Sequence, residues 1–258
     1  MMTNKRVGTG LEELYATGKK SVALLIDPES QVDPAILKDL ALLAAECNVG
    51  YFFIGGSLVT QEKTHWCIHL IKSVTTNIPV VLFPGHAIQL AENADGVLFL
   101  SLISGRNPDL LIGQHVMVAS FLAKSRIEVL PTGYMLIDGG NITSVNYISQ
   151  TLPLPNDKPD LAVATALAGT FLGLQYLFLD AGSGASQPVS PGIIKGVREH
   201  TGCPLIVGGG IDSVPKAKLA YESGADVVVL GNGVENRPDL LGEVSDYTSA
   251  YNLSLNVN

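Results

Sequence analysis

Positive charge is scarce in this sequence. Its 258 residues carry 16 Lys and Arg against 24 Asp and Glu, a formal net charge of −8. That leaves no basic stripe for a phosphate backbone or an anionic lipid surface, and it excludes nucleic acid as an expected partner. Cysteine is equally sparse. Cys47, Cys67 and Cys203 are odd in number, far apart and never in a CxxC pair, so they read as buried, reduced thiols of a cytoplasmic protein. Met1 to Leu14 has no long apolar core and does not read as a signal peptide. One stretch, Leu161 to Leu179, carries no charge and approaches membrane-spanning length. Gly169, Gly173 and Gln175 interrupt it, and a Gly-Ser-Gly turn follows. The expectation is an Ala-rich helix ending near Gly173 and then a buried strand, with no transmembrane segment.

What the chain has in quantity is Val, Ile, Leu and Ala, with 27 Gly. Strands buried on both faces read as apolar runs of this kind. Eight such runs alternate with helical patterns: Val22–Ile26, Tyr51–Ile54, Val80–Phe83, Val97–Leu100, Met135–Ile137, Tyr176–Leu179, Leu205–Val207 and Val227–Leu230. Alternation from end to end predicts βαβ units and a parallel sheet, and eight strands favour closure over an open doubly wound sheet. The fold expected is α/β, a single (β/α)8 TIM-type barrel domain over residues 1–258, a length usual for that architecture.

Helix punctuation agrees. Asp33-Pro34 and Ser190-Pro191 each read as an N-cap followed by proline in the first turn, and Ser213 as a cap for a helix ending at Gly224. Thr9 and Glu12 have capping-box spacing, which predicts a short helix over the barrel floor. Two features depart from regularity. Only about ten residues, Pro84 to Ala94, join the third and fourth strands, which predicts a reduced third helix. Roughly twenty residues, Asp138 to Pro159, contain three prolines and no clear long element; after a barrel strand they would lie over the active face.

Chemistry is concentrated at strand ends. Gly208-Gly209-Gly210 and Gly231-Asn232-Gly233 follow the seventh and eighth strands. Barrels often hold a phosphate there, because glycine lets backbone N–H groups approach an anion closely. The sixth strand ends in Asp180, followed by Ala181, Gly182, Ser183 and Gly184. Asp180 could accept a proton from a hydroxyl, or could only cap its own turn. Asp27 follows the first strand and suits either a Mg2+ ligand or an Asp-Pro turn, and Gly55-Gly56-Ser57 could supply a neighbouring hydroxyl. His65 and His69 have the spacing of a zinc pair but no third ligand, and His86 has no evident partner.

With these motifs in place, the sequence resembles the geranylgeranylglyceryl phosphate synthase family, including its heptaprenylglyceryl phosphate synthase relatives. The likeness runs through Leu25-Ile26-Asp27-Pro28, Phe53-Ile54-Gly55-Gly56-Ser57, Leu82-Phe83-Pro84-Gly85 and Leu98-Phe99-Leu100-Ser101-Leu102. It continues through Arg106-Asn107-Pro108, Pro131-Thr132-Gly133-Tyr134, Ala181-Gly182-Ser183-Gly184-Ala185, Gly208-Gly209-Gly210-Ile211, Gly224-Ala225-Asp226 and Gly231-Asn232. The glycine motifs occur in many barrels; the Phe-Leu-Ser-Leu and Ala-Gly-Ser-Gly-Ala segments are far more specific.

The resemblance implies a Mg2+-dependent prenyltransferase. It would join a polyprenyl diphosphate, geranylgeranyl diphosphate foremost, to the 3-hydroxyl of sn-glycerol 1-phosphate, giving an ether-lipid precursor and diphosphate. It also implies a homo-oligomer, dimer or hexamer, and a prenyl tail lying in an apolar groove across the barrel. Family Mg2+ ligands fall on Asp27 and Ser57. The glycerol-phosphate segment falls on Phe178, Leu179, Asp180, Ala181, Gly182, Ser183 and Gly184, with further contacts at Gly209, Gly210, Gly231 and Asn232, and Asp180 is the catalytic carboxylate. The family usually has Tyr-Leu-Glu where this chain has Phe178-Leu179-Asp180, so a phenol is lost and the acid arm is one methylene shorter. A sugar-phosphate isomerase or aldolase, or a non-catalytic phosphometabolite-binding barrel, would share the same phosphate grip.

Overall fold

The computed structural model describes residues 7–30, 33–56, 59–231 and 233–255. Its strands are β1 (Ser21–Ile26), β2 (Tyr51–Ile54), β3 (Val80–Leu82), β4 (Gly96–Leu102), β5 (Glu128–Leu136), β6 (Tyr176–Asp180), β7 (Leu205–Gly208) and β8 (Val227–Leu230). All pair in parallel and in sequence order. β8 returns to β1, with Ser21 opposite Val227 and Leu24 opposite Leu230, and closes the barrel.

Helices α1 (Val7–Thr17), α2 (Pro34–Glu46), α3 (Gln61–Val74), α4 (Gln114–Leu122), α5 (Ser144–Ser149), α6 (Pro159–Phe171), α7 (Pro191–His200), α8 (Val214–Ser223), α9 (Gly233–Asn236) and α10 (Asp239–Ser254) fill the connections. The charge-free stretch from Leu161 resolves into most of α6, a short turn and then β6. Among the described residues no helix is long and apolar enough to cross a membrane.

Strand period 2 sorts the side chains into two layers. Ala23, Phe53, Val81, Leu98, Leu130, Tyr176, Phe178, Ile206 and Val229 fill the barrel interior. Val22, Phe52, Val80, Leu177, Leu179, Leu205 and Val228 face outward and pack beneath Leu40, Ile68, Ile193 and Val244 of the helices. Burying one such side chain contributes roughly 1.5–3 kcal/mol, which makes these two layers the main source of stability.

Three expectations need correction. β5 starts at Glu128 rather than Met135. Proline is usually excluded from strand interiors, but the Pro131 carbonyl accepts from Gln175 N on the β6 side, and β6 pairing begins only at Thr132. An N–H on Pro131 would point to that same side, ahead of the ladder, so its absence costs no sheet bond. Thr9 does not cap α1 but lies inside it; the N–H groups of Val7 and Gly8 donate to the Glu128 carboxylate instead, at 2.7 and 3.2 Å. The helix does cover the floor, with Val7 and Leu11 packed into the interior layer. Finally, Ser190 and Ser213 occupy N-cap positions without a capping side-chain bond, and the Ser190 hydroxyl donates to the Asn156 carbonyl. Asp33 caps as expected, accepting from Ala35 N at 2.8 Å.

The third helix is reduced to one 3-10 turn, Ala87–Gln89. The segment after β5 pairs briefly with the barrel through Ile137 and Leu154 and places α5 over the strands' C-terminal ends.

Candidate active site

Each strand of a parallel barrel delivers its last inward residue to the same open face, and the functional candidates converge there. From β1 comes Asp27, half-buried, with Oδ1 accepting from Glu29 N at 2.9 Å. Burial pushes its pKa up, with the local backbone bond opposing. From β2 come Gly55 and Gly56, packed so closely that a Cβ at 55 would stand 1.8 Å from the Phe83 carbonyl. Gln89, 2% exposed, ties these exits together: it accepts from Gly85 N at 2.8 Å and donates to the Gly56 carbonyl at 2.9 Å.

From β6 comes Asp180, only 8% exposed. Its Oδ1 accepts from Gly182 N at 2.8 Å, so it does cap its own turn. Its Oδ2 accepts the Tyr134 phenol at 2.6 Å. Burial raises its pKa, and the two hydrogen bonds pull the other way. Phe178, one inward step below, lies 5.1 Å from Phe83 and edge-on to Tyr134 at 5.6 Å, centroid to centroid. This aromatic layer is the platform under the site.

The glycine turns interlock. Gly182, Gly184, Gly209 and Gly210 all have positive φ, from +68° to +90°. A Cβ on Gly209 would stand 2.6 Å from Gly182 N, so the turns after β6 and β7 touch backbone to backbone. The Ala181 N–H is used by the Gly208 carbonyl and that of Gly182 by Asp180, which leaves Ser183, Gly184, Gly209 and Gly210 to face a ligand. Leu179 and Ala181, expected at the site, send their side chains into the outer core and do not line the cavity. Ser57 and Asn232, expected at the site, lie outside the described residues.

A cavity of about 1100 Å³ joins these groups. Its polar end holds Asp27, Gly56, Asp180, Ser183, Gly209, Gly210 and Gly231. Its other arm is lined by Leu90, Val97, Phe99, His115 and Val118 and occupies the space that a full third helix would fill. His115, missed from sequence, lies edge-on to Phe99 at 4.4 Å, and burial lowers its pKa. His86 also lines the cavity, and its Nδ1 accepts from Ile88 N in the 3-10 turn. His65 and His69 sit on α3, and no group of three His, Cys, Asp or Glu among the described residues could hold a metal by itself.

The model of the PcrB family matches residues 16–247. The chain belongs to the PcrB family. The geranylgeranylglyceryl phosphate synthase of Spirosoma linguale is 49% identical over 247 residues, covering 96% of this chain and 98% of that one. The synthase of the same name from Korarchaeum cryptofilum is 33% identical over 241 residues, with 93% and 98% covered. The crystal structure of (S)-3-O-geranylgeranylglyceryl phosphate synthase from Thermoplasma acidophilum, in complex with its substrate sn-glycerol-1-phosphate, superposes with a TM-score of 0.87 at 27% identity. It covers 97% of this chain and 100% of its own. Thiamine phosphate pyrophosphorylase from Pyrococcus furiosus, at 12% identity and a TM-score of 0.59, shares the barrel fold alone. Within the PcrB family frame, Asp27, Asp180 and the glycine turns of this chain all lie on one face of the barrel and open into one cavity.

Proposed function

We propose that this PcrB-family protein is a Mg2+-dependent prenyltransferase joining a polyprenyl diphosphate, geranylgeranyl diphosphate foremost, to the 3-hydroxyl of sn-glycerol 1-phosphate. The observation that carries the reading is the two-ended cavity. Anion-accommodating glycine turns and two carboxylates stand at one end, and an apolar arm vacated by the missing third helix leads away from them. A small polar acceptor and a long apolar donor need such a site.

Asp27 suits a hard cation. It offers one half-buried carboxylate beside the cavity, and Mg2+ commonly takes one or two carboxylates and fills the rest of its shell with phosphate oxygens and water. When bound, Mg2+ supplies charge neutralisation for the diphosphate leaving group. The chain's own residues do the rest. Ser183, Gly184, Gly209 and Gly210 hold the acceptor's phosphate, and the aromatic layer of Phe83, Tyr134 and Phe178 keeps water from the allylic carbon. Asp180 is the base that ends protonated as the prenyl C–O bond to diphosphate breaks and the ether C–O bond forms. The contribution of the barrel is positioning and electrostatics.

An aldolase mechanism through a Schiff base finds no support. Lys20, the buried lysine among the described residues, precedes β1 at the opposite end of the barrel and pairs with Asp226. Three free cysteines support a cytoplasmic location. Val116 and Met117, each 69% exposed on α4, support a homo-oligomer. The test is incubation of the protein with radiolabelled sn-glycerol 1-phosphate, Mg2+ and prenyl diphosphates of graded length. Label passing into the organic phase is the expected result. Label remaining in water with every donor overturns the reading in favour of an isomerase, an aldolase or a binding protein.

A further inference from the structure

Both oxygens of Asp180 are already engaged: Oδ1 accepts from Gly182 N and Oδ2 from the Tyr134 phenol. The carboxylate is also on a shorter arm than the glutamate that the family usually carries there. Tyr134, 6% exposed, lines the same cavity, and its phenolic oxygen donates to Asp180 while keeping lone pairs that can accept from a substrate hydroxyl.

We propose that Tyr134 is a catalytic residue that relays the acceptor's proton to Asp180. The step rests on the prenyl-transfer reading. As the glycerol hydroxyl oxygen bonds to the allylic carbon and diphosphate leaves, the hydroxyl proton passes to the Tyr134 oxygen. The phenol's own proton passes to Asp180 Oδ2. The phenol ends neutral, Asp180 ends protonated, and no further reactant is needed.

Three features of the fold fit this role. Tyr134 pairs in register with Phe178 and Leu136 with Asp180, so the phenol reaches Asp180 diagonally, two residues along the neighbouring strand. Phe83 and Phe178 pack against the Tyr134 ring edge-on, at 5.9 and 5.6 Å, and fix its direction. Position 178 carries no hydroxyl, so no second phenol from β6 competes for the carboxylate. Burial and the neighbouring carboxylate raise the Tyr134 pKa well above that of an ordinary phenol. A stable phenolate is thereby disfavoured, and transfer of both protons together is favoured.

The variant is Tyr134→Phe, which keeps the ring and its packing. Folding is checked by the thermal melt and by calorimetric binding of sn-glycerol 1-phosphate. Single-turnover prenyl transfer at saturating substrates is then measured in H2O–D2O mixtures. The relay requires a rate about 10²-fold lower, a KM for glycerol phosphate nearly unchanged, and a wild-type proton inventory bowed by two moving protons. A variant that transfers at the wild-type rate, a rise in KM that accounts for the whole loss, or a linear wild-type inventory overturns the relay while prenyl transfer stands. A wild-type protein that transfers no prenyl group overturns both.

Discussion

The carboxylate of Asp27 lies directly over the α-carbon of Gly56: a Cβ built there would stand 2.5 Å from Oδ2 and 2.6 Å from Cγ. The carboxylate can occupy this place because residue 56 has no side chain. Gly56→Ala is therefore expected to push the carboxylate aside, raise the Mg2+ concentration needed for half-maximal transfer several-fold and leave the melt within a few degrees. An unchanged Mg2+ titration would separate the position of Asp27 from metal use.

Asp27→Ala removes the carboxylate altogether. Prenyl transfer should be lost while the circular-dichroism melt stays close to wild type, because the group is desolvated and, among the described residues, accepts one local backbone bond. Full activity in this variant would end the metal role.

Gly209 sets the spacing between the turns after β6 and β7. At φ +80°, with a Cβ that would stand 2.6 Å from Gly182 N and 2.7 Å from Ala181 N, alanine must displace backbone. Gly209→Ala should raise KM for glycerol phosphate at least tenfold and that for prenyl diphosphate far less. Gly210→Val, where a Cβ would stand 3.0 Å from the Gln187 carbonyl group, should act in the same direction. Equal rises in both KM values would contradict the assignment of these turns to the acceptor's phosphate.

The pH dependence follows from Asp180. A base must be ionised, and burial raises its pKa above the ordinary 3.8, so transfer should fail on the acid side at a higher pH than a solvated aspartate would give. Tyr134→Phe removes a bond that favours the carboxylate, so the acid limb of kcat at saturating substrates should move further up. A limb that stays in place in that variant would mean that Asp180 does not set it.

Asp226 lies far from the chemistry, at the start of β8. It is 2% exposed, accepts from Leu205 N at 2.8 Å, and forms ion pairs with Arg198 and with Lys20 at 3.7 Å. Removing one partner of a buried pair strands the other charges, at a cost of about 3–5 kcal/mol. Asp226→Ala should thus lower Tm by at least about 6 °C, with KM for glycerol phosphate unchanged at a temperature where the variant is folded. A melt within one degree of wild type would show that Lys20 and Arg198 find water instead.

The sequence by itself determined the order and type of the elements. Eight apolar runs, the short Pro84–Ala94 connection and the glycine turns after the last strands could be read directly, because strand burial and chain reversal leave local marks. The same locality hid the first half of β5: a proline at 131 fits inside a strand only because β6 pairing starts at Thr132, so the proline's N–H side has no partner to lose. Strand ends placed Asp27 and Asp180 on one face. Only the closed barrel decided what they touch. Tyr134 and Asp180 are 46 residues apart, and Gln89 and Gly56 are 33 apart. Their bonds depend on which strands are neighbours and in what register. Those are properties of the whole sheet, and no window of the chain contains them.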